Sequence, residues 1–163
     1  MQIFVGMRVS ENTLKWLLRF YPPLLLQRVW VKKFEKGFTG VEVKILKSIL
    51  NINYNRSIFG GSIFSATDAF HPILFHELLA NRGIRTKIWV KRSEIEFVKP
   101  AYKDLYFKIN ITEAEILDIC TKLSEFGKLL QQNTIEVYDK EQQLCALVKN
   151  EVYIRYLQGK SNN

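Results

Sequence analysis

Apolar and polar positions change period several times along the chain, and each change marks an element. Leu14, Leu17 and Leu18 share one helical face, Ser10 or Asn12 offers a cap, and Pro22-Pro23 stops the helix. Two runs follow, Val29–Phe34 and Val41–Leu46, rich in β-branched and aromatic residues and separated by a hairpin-like break at Lys36-Gly37. Val41, Val43 and Ile45 alternate with Glu42 and Lys44, the period of a strand with one buried face. Over residues 60–80 the apolar positions cover most of a helix circumference, which predicts a long helix buried on nearly all sides. Asn81-Arg82-Gly83 closes it with Gly near the C-cap. Pro72 cannot donate to the carbonyl of Asp68 four residues back, so the pattern predicts a bend there.

Strand periods return at Thr86–Val98, bounded by Pro100, and at Leu105–Ile111. Thr112 with Glu115 forms a capping box, and its helix turns Ile116, Ile119 and Leu123 inward before ending near Phe126-Gly127. Two further runs, Thr134–Tyr138 and Leu144–Tyr156, flank the turn Asp139-Lys140-Glu141. This order is α+β rather than alternating βαβ. A helix that is apolar all round needs cover on every side, and one mainly antiparallel sheet curling around it supplies that cover. The chain reads as a single domain over residues 1–163, with its core at about 14–156 and a tail over 157–163 whose polar end, residues 159–163, is expected to fray.

Composition narrows the class. With 163 residues, 47% hydrophobic and 25% charged, the chain is neither disordered nor fibrous. No apolar run approaches the roughly 20 residues of a membrane span. Arg8, Glu11 and Lys15 interrupt any signal-peptide core, so the expected location is cytoplasmic. Cys120 and Cys145 fit no metal or redox spacing and read as small buried hydrophobes.

The net charge of +8 is uneven: residues 1–103 carry 17 basic and 7 acidic groups, residues 104–163 carry 7 and 9. Arg82, Arg85, Lys87, Lys91, Arg92, Lys99 and Lys103 surround the third strand run, which suits either the phosphates of a ligand or a sheet edge guarded by cations. Arg85, Lys91 and Arg92 are the first candidates for phosphate binding. Nucleic acid is not an expected partner, because no recognised module is present and aromatic residues are not interleaved with the basic ones in a stacking pattern.

Chemistry concentrates between Asn51 and Asp68. Gly60-Gly61 stands where a loop becomes a helix, and the first N–H groups of a helix suit an anion or a developing oxyanion. Seven residues bring Asp68 back to the face of Gly61, with Ser65 and Pro72 on the same stripe. A carboxylate among apolar neighbours has a raised pKa and can act as general base or nucleophile. The plain alternative is an Asp bonded to a nearby hydroxyl, or one on an exposed sliver of the helix. His71 adjoins it and reads either as an orienting group or as a partly exposed or core-satisfied histidine; His76 reads as structural. No metal is expected, because five-residue His spacing turns about 140° around a helix. Phe64 and Phe75 are candidates to line a pocket, although most apolar residues of the helix belong to the core.

Gly60-Gly61-Ser-Ile-Phe-Ser-Ala-Thr-Asp68 resembles the His-Gly-Gly-x-x-x-x-x-x-Asp signature of hot-dog-fold acyl-CoA thioesterases of the phenylacetyl-CoA thioesterase type. Arg19–Leu24, Asn51–Tyr54, Ile58–Gly61 and Phe97–Pro100 extend the resemblance to a family of thioesterase-like bacterial hot-dog proteins over roughly residues 14–156. The resemblance implies a curved antiparallel sheet wrapped around one long central helix, with an N-terminal helix and a short inserted one. It implies hydrolysis of an acyl-CoA or acyl-carrier thioester, with no cofactor beyond the coenzyme A of the substrate. Asp68 would activate water or attack the carbonyl, Gly61 N–H would polarise it, and Asn53 with Ser65 would orient water or acyl group. Gly60, Phe59 and Phe64 would contact substrate. A homodimer with its long helices side by side is implied, each site drawing on both subunits, or a dimer of dimers. Phe59 departs from the signature, which has His there. That change favours the alternative of a non-catalytic binder of acyl-CoA or a fatty ligand, and it removes the His that a hot-dog dehydratase pairs with its acid.

Overall fold

Ser10 caps the first helix, α1 (Glu11–Phe20), its hydroxyl accepting the Thr13 N–H at 3.1 Å in the computed structural model, which describes residues 9–157. Leu14 and Leu18 are buried as their spacing predicts, while Leu17 stays exposed beside Trp16 and Phe20. The Pro pair ends α1 and also opens a five-residue helix, α2 (Pro22–Leu26). Proline is at home in a first turn, whose N–H groups have no helical acceptor. The short second helix is the part that periodicity alone did not announce. Arg19 fastens α1 to the sheet: its Nε donates to Val31 O at 2.9 Å, and its guanidinium lies over Trp16 and Trp30.

Strands β1 (Val29–Phe34) and β2 (Gly40–Ile45) form the expected hairpin, joined by a 3₁₀ turn in which Gly37 has φ 70°. A loop leads into α3 (Gly60–Asn81), followed by β3 (Thr86–Phe97), β4 (Leu105–Asn110), α4 (Glu113–Phe126), β5 (Lys128–Asp139) and β6 (Leu144–Tyr156). The six strands form one antiparallel sheet in the order β1-β2-β4-β5-β6-β3, so β3 is an outer edge. The capping box at Thr112 and the left-handed Gly127 bound α4 as predicted.

One expectation needs correction. Strand β5 begins at Lys128 rather than Thr134, because residues 128–133 gain strand order by pairing with Asn150–Arg155 of β6. Such order comes from a partner and leaves no alternation of its own. Helix α3 runs helical through Pro72 without a break, and Pro72 is buried.

Helix α3 fills the curve of the sheet. Phe70, Leu74, Phe75 and Leu79 are fully buried, and Phe70 meets Phe107 of β4 edge-on at 5.8 Å. Phe75 is therefore part of the core. One polar link crosses this core: Asn150 of β6 donates to Thr67 O of α3 at 2.9 Å and accepts from Ser93 of β3 at 2.6 Å. Asn150→Leu strands the Ser93 hydroxyl, and a destabilisation of about 1–3 kcal/mol is expected in urea unfolding. Cys145 is buried as expected, Cys120 only half-buried, and both are free thiols.

Candidate functional site

The loop from β2 to α3 is built by side chains that grip backbone. Asn51 is buried; its Nδ2 donates to Gln27 O at 3.0 Å and Leu46 O at 2.9 Å, and its Oδ1 accepts the Ser48 N–H. Asn51 O in turn accepts the Phe59 N–H at 2.8 Å, which fixes the residue just before the helix. Ser62, in the first turn of α3, donates to Gln27 Oε1. Gln27, Asn51 and Ser62 thus hold the helix start from below. Polar residue types gave no hint of this, since the three are scattered along the sequence.

At the helix start Phe59 supplies no side-chain cap, and among the described residues the N–H groups of Gly60 and Gly61 have no protein acceptor. A Cβ on Gly61 would stand 2.3 Å from Phe59 Cε1, and one on Gly60 would stand 2.8 Å from Phe97 Cζ. A side chain at either glycine would therefore have to displace the aromatic ring lying against it. Phe59 and Phe97 are themselves 53% and 52% exposed, so two free N–H groups open between two solvent-facing rings. Phe97 was visible only within the resembling block Phe97–Pro100, with no role attached.

Along α3 an open stripe follows: Phe64 and Asp68 are exposed, and Gly61, Ser65 and Ala69 are half-buried. Asp68 makes no hydrogen bond or ion pair among the described residues. Desolvation by the surrounding protein raises its pKa above the ordinary aspartate value, while the exposed tip limits the shift. Seven residues at the helical rise separate Gly61 from Asp68 by about 10 Å along the axis. One chain therefore presents the donor pair and the carboxylate on one stripe but not at one point.

The other predicted residues fall elsewhere. Asn53 closes its own turn: its Nδ2 donates to Ser57 Oγ at 2.8 Å, and its Oδ1 accepts the N–H groups of Asn55 and Ser57. Arg85 follows the C-terminal turn of α3, where Ile84 N–H donates to Leu79 O, so it marks the end opposite Gly61. Lys91 and Arg92 sit at the β-bulge of β3, exposed and without ion pairs among the described residues. The structure does not gather these cations around Gly61 within one chain. His71 is 4% exposed, stacked on Phe75 at 6.0 Å, and its Nδ1 has no partner. It is a core histidine, neither partly exposed nor satisfied at Nδ1. Burial lowers its pKa to about 4. His76, half-buried, is lowered by the same cause. Among the described residues no three His, Cys, Asp or Glu side chains group as metal ligands.

A six-stranded antiparallel sheet curled around one long helix that starts at a glycine pair is the hot-dog fold. A protein of unknown function from Pseudomonas aeruginosa, described as a probable thioesterase, superposes with a TM-score of 0.76 at 17% identity, covering 93% of this chain and 99% of that one. A putative thioesterase from Shewanella oneidensis follows at 0.68 and 16%, covering 88% and 95%. The PaaI protein of the Escherichia coli phenylacetic acid degradation operon matches at 0.57 and 13%, covering 92% and 98%. No curated protein matches the chain significantly in sequence. The chain belongs to the YiiD_C family, whose model, described as "Putative thioesterase (yiiD_Cterm)", matches residues 31–152. Among the described residues no helix is long and apolar enough to cross a membrane.

Proposed function

We propose that the protein hydrolyses acyl thioesters of coenzyme A or an acyl carrier, giving a carboxylic acid and a free thiol. The observation that carries this reading is the pairing of two unsatisfied helix N–H groups with an unpartnered, pKa-raised carboxylate on the same open stripe. The Gly61 N–H stabilises the carbonyl oxygen as charge develops on it, which is where preorganised donors act most strongly. The carboxylate takes the proton of the attacking water, or attacks the carbonyl itself. Phe59, Phe97 and Phe64 give the acyl group an apolar entrance.

The 10 Å offset between donor and carboxylate supports a shared site. Two α3 helices packed antiparallel along the stripe bring the partner's Asp68 to Gly61, and the small Ser65 and Ala69 let the helices approach. The free edge of β3, beside α3, supports the same pairing by offering a strand for a second copy to extend. Incubation with short, medium, long and aromatic acyl-CoAs, with free coenzyme A followed by chromatography, tests the reading. Release of coenzyme A that depends on Asp68 upholds it. The Phe59 ring against Gly61 favours the second reading, a binder that does not hydrolyse; ligand retained in native mass spectrometry without coenzyme A release selects that one.

A further inference from the structure

The strand register brings together residues that lie far apart in sequence. On the outer face of β5-β6-β3, Lys128 stands opposite Arg155, which stands opposite Lys87, three cations in one cross-strand row. The next row on that face is Leu130, Tyr153 and Trp89. Adjacent strands lie about 4.8 Å apart, so the cationic row spans about 10 Å. Like charges directly opposite each other in a sheet are destabilising. None of Lys87, Lys128 and Arg155 has an ion-pair partner among the described residues, whereas Lys32, Lys33, Lys44 and Lys108 on the other half of the sheet all pair with acids. The acids of this face begin only one row beyond the aromatics, where Glu151 is held by Gln132 at 2.8 Å.

Trp89 and Tyr153 have ring centroids 4.4 Å apart, Lys87 Nζ lies 5.9 Å from the Trp89 ring, and Trp89 is 42% exposed. The two rings pack against each other with their planes 39° from parallel, leaving exposed aromatic surface beside the cations. The open sheet surface encloses no small molecule. Exposed aromatic rings beside unpaired cations are what single strands bind: bases stack on the rings and phosphates meet the charges.

We infer that the outer face of β3, β6 and β5 binds single-stranded nucleic acid, with bases on Trp89 and Tyr153 and the backbone along Lys87, Arg155 and Lys128. This surface is distinct from the glycine pair. Trp89 and Phe97 point to opposite faces of the sheet and are eight residues apart, about 26 Å of strand.

Fluorescence anisotropy of a labelled single-stranded RNA of about twelve nucleotides tests it. With three phosphate contacts, the logarithm of the affinity is expected to fall against the logarithm of salt with a slope near −2. Lys87→Gln/Lys128→Gln/Arg155→Gln abolishes that slope, Trp89→Ala weakens binding about tenfold or more at unchanged slope, and Trp89→Phe retains most of it. Lys122→Gln, in α4, leaves binding as it is. Circular dichroism and thermal unfolding of each variant separate loss of the surface from loss of the fold. Absence of saturable binding at about 50 mM salt overturns the inference. So does full affinity in Trp89→Ala, which marks a charge patch only, and so does binding of phosphatidylserine vesicles through these residues while RNA fails to bind.

Discussion

Asp68→Asn is expected to lower acyl-CoA turnover by about 10²–10⁴-fold, the range a positioned general base contributes, with KM nearly unchanged. The amide keeps the size of the side chain and loses the lone proton acceptor on the open stripe. Because Asp68 is exposed, its substitution leaves stability near that of the parent, so lost activity is not lost fold. In the parent, kcat/KM falls on the acid side through a pKa above the usual aspartate value, since desolvation raises it. Gly61→Val supplies the complementary lesion by pushing a side chain into the space of the Phe59 ring. Each variant alone is inactive. When the two are mixed and allowed to exchange subunits, about a quarter of the activity returns, because half the dimers are mixed and each restores one of its two sites. No return of activity after verified exchange rejects the shared site, while the single-variant kinetics still judge the chemistry.

Acid is expected to unfold the protein through His71 as well as through its carboxylates. The folded-state pKa of about 4 lies below the unfolded value of 6.5, so the unfolded chain binds the proton first. The stability tied to a neutral His71 is complete above about pH 6.5 and is lost as pH falls toward 4; two and a half units correspond to roughly 3 kcal/mol. Of the facing charges, only Glu115 on α4 opposes the shift, weakly. His71→Leu removes this component. The difference in urea-unfolding free energy between pH 7.5 and pH 4.5 is expected to shrink by about 2 kcal/mol or more in the variant. An equal pH dependence in both proteins rejects the assignment.

Much of the fold was legible because its strongest signals are local. The all-round apolar stretch over residues 60–80, the glycine pair before it and the capping box at Thr112 each announce themselves within a few residues. The sequence spacing also put Asp68 on the face of Gly61, and the structure keeps both on one open stripe. What stayed hidden is what depends on pairing. Residues 128–133 become strand only because β6 lies beside them, and Lys87 meets Arg155 only through register. The basic residues around β3 looked like one cluster in sequence, yet α3 and β3 carry Arg85 to the far end of the helix from Gly61. The 10 Å offset was already implicit in the seven-residue spacing, because residues sharing a helical face still climb along its axis.

The contacts at the start of α3 make positions 59 and 61 a single unit of volume, and positions 60 and 97 another. Enlarging either glycine demands a smaller or displaced ring opposite it, so substitutions at these pairs are coupled rather than additive. The aromatic members set how wide the entrance is, and the glycines record that width in the backbone.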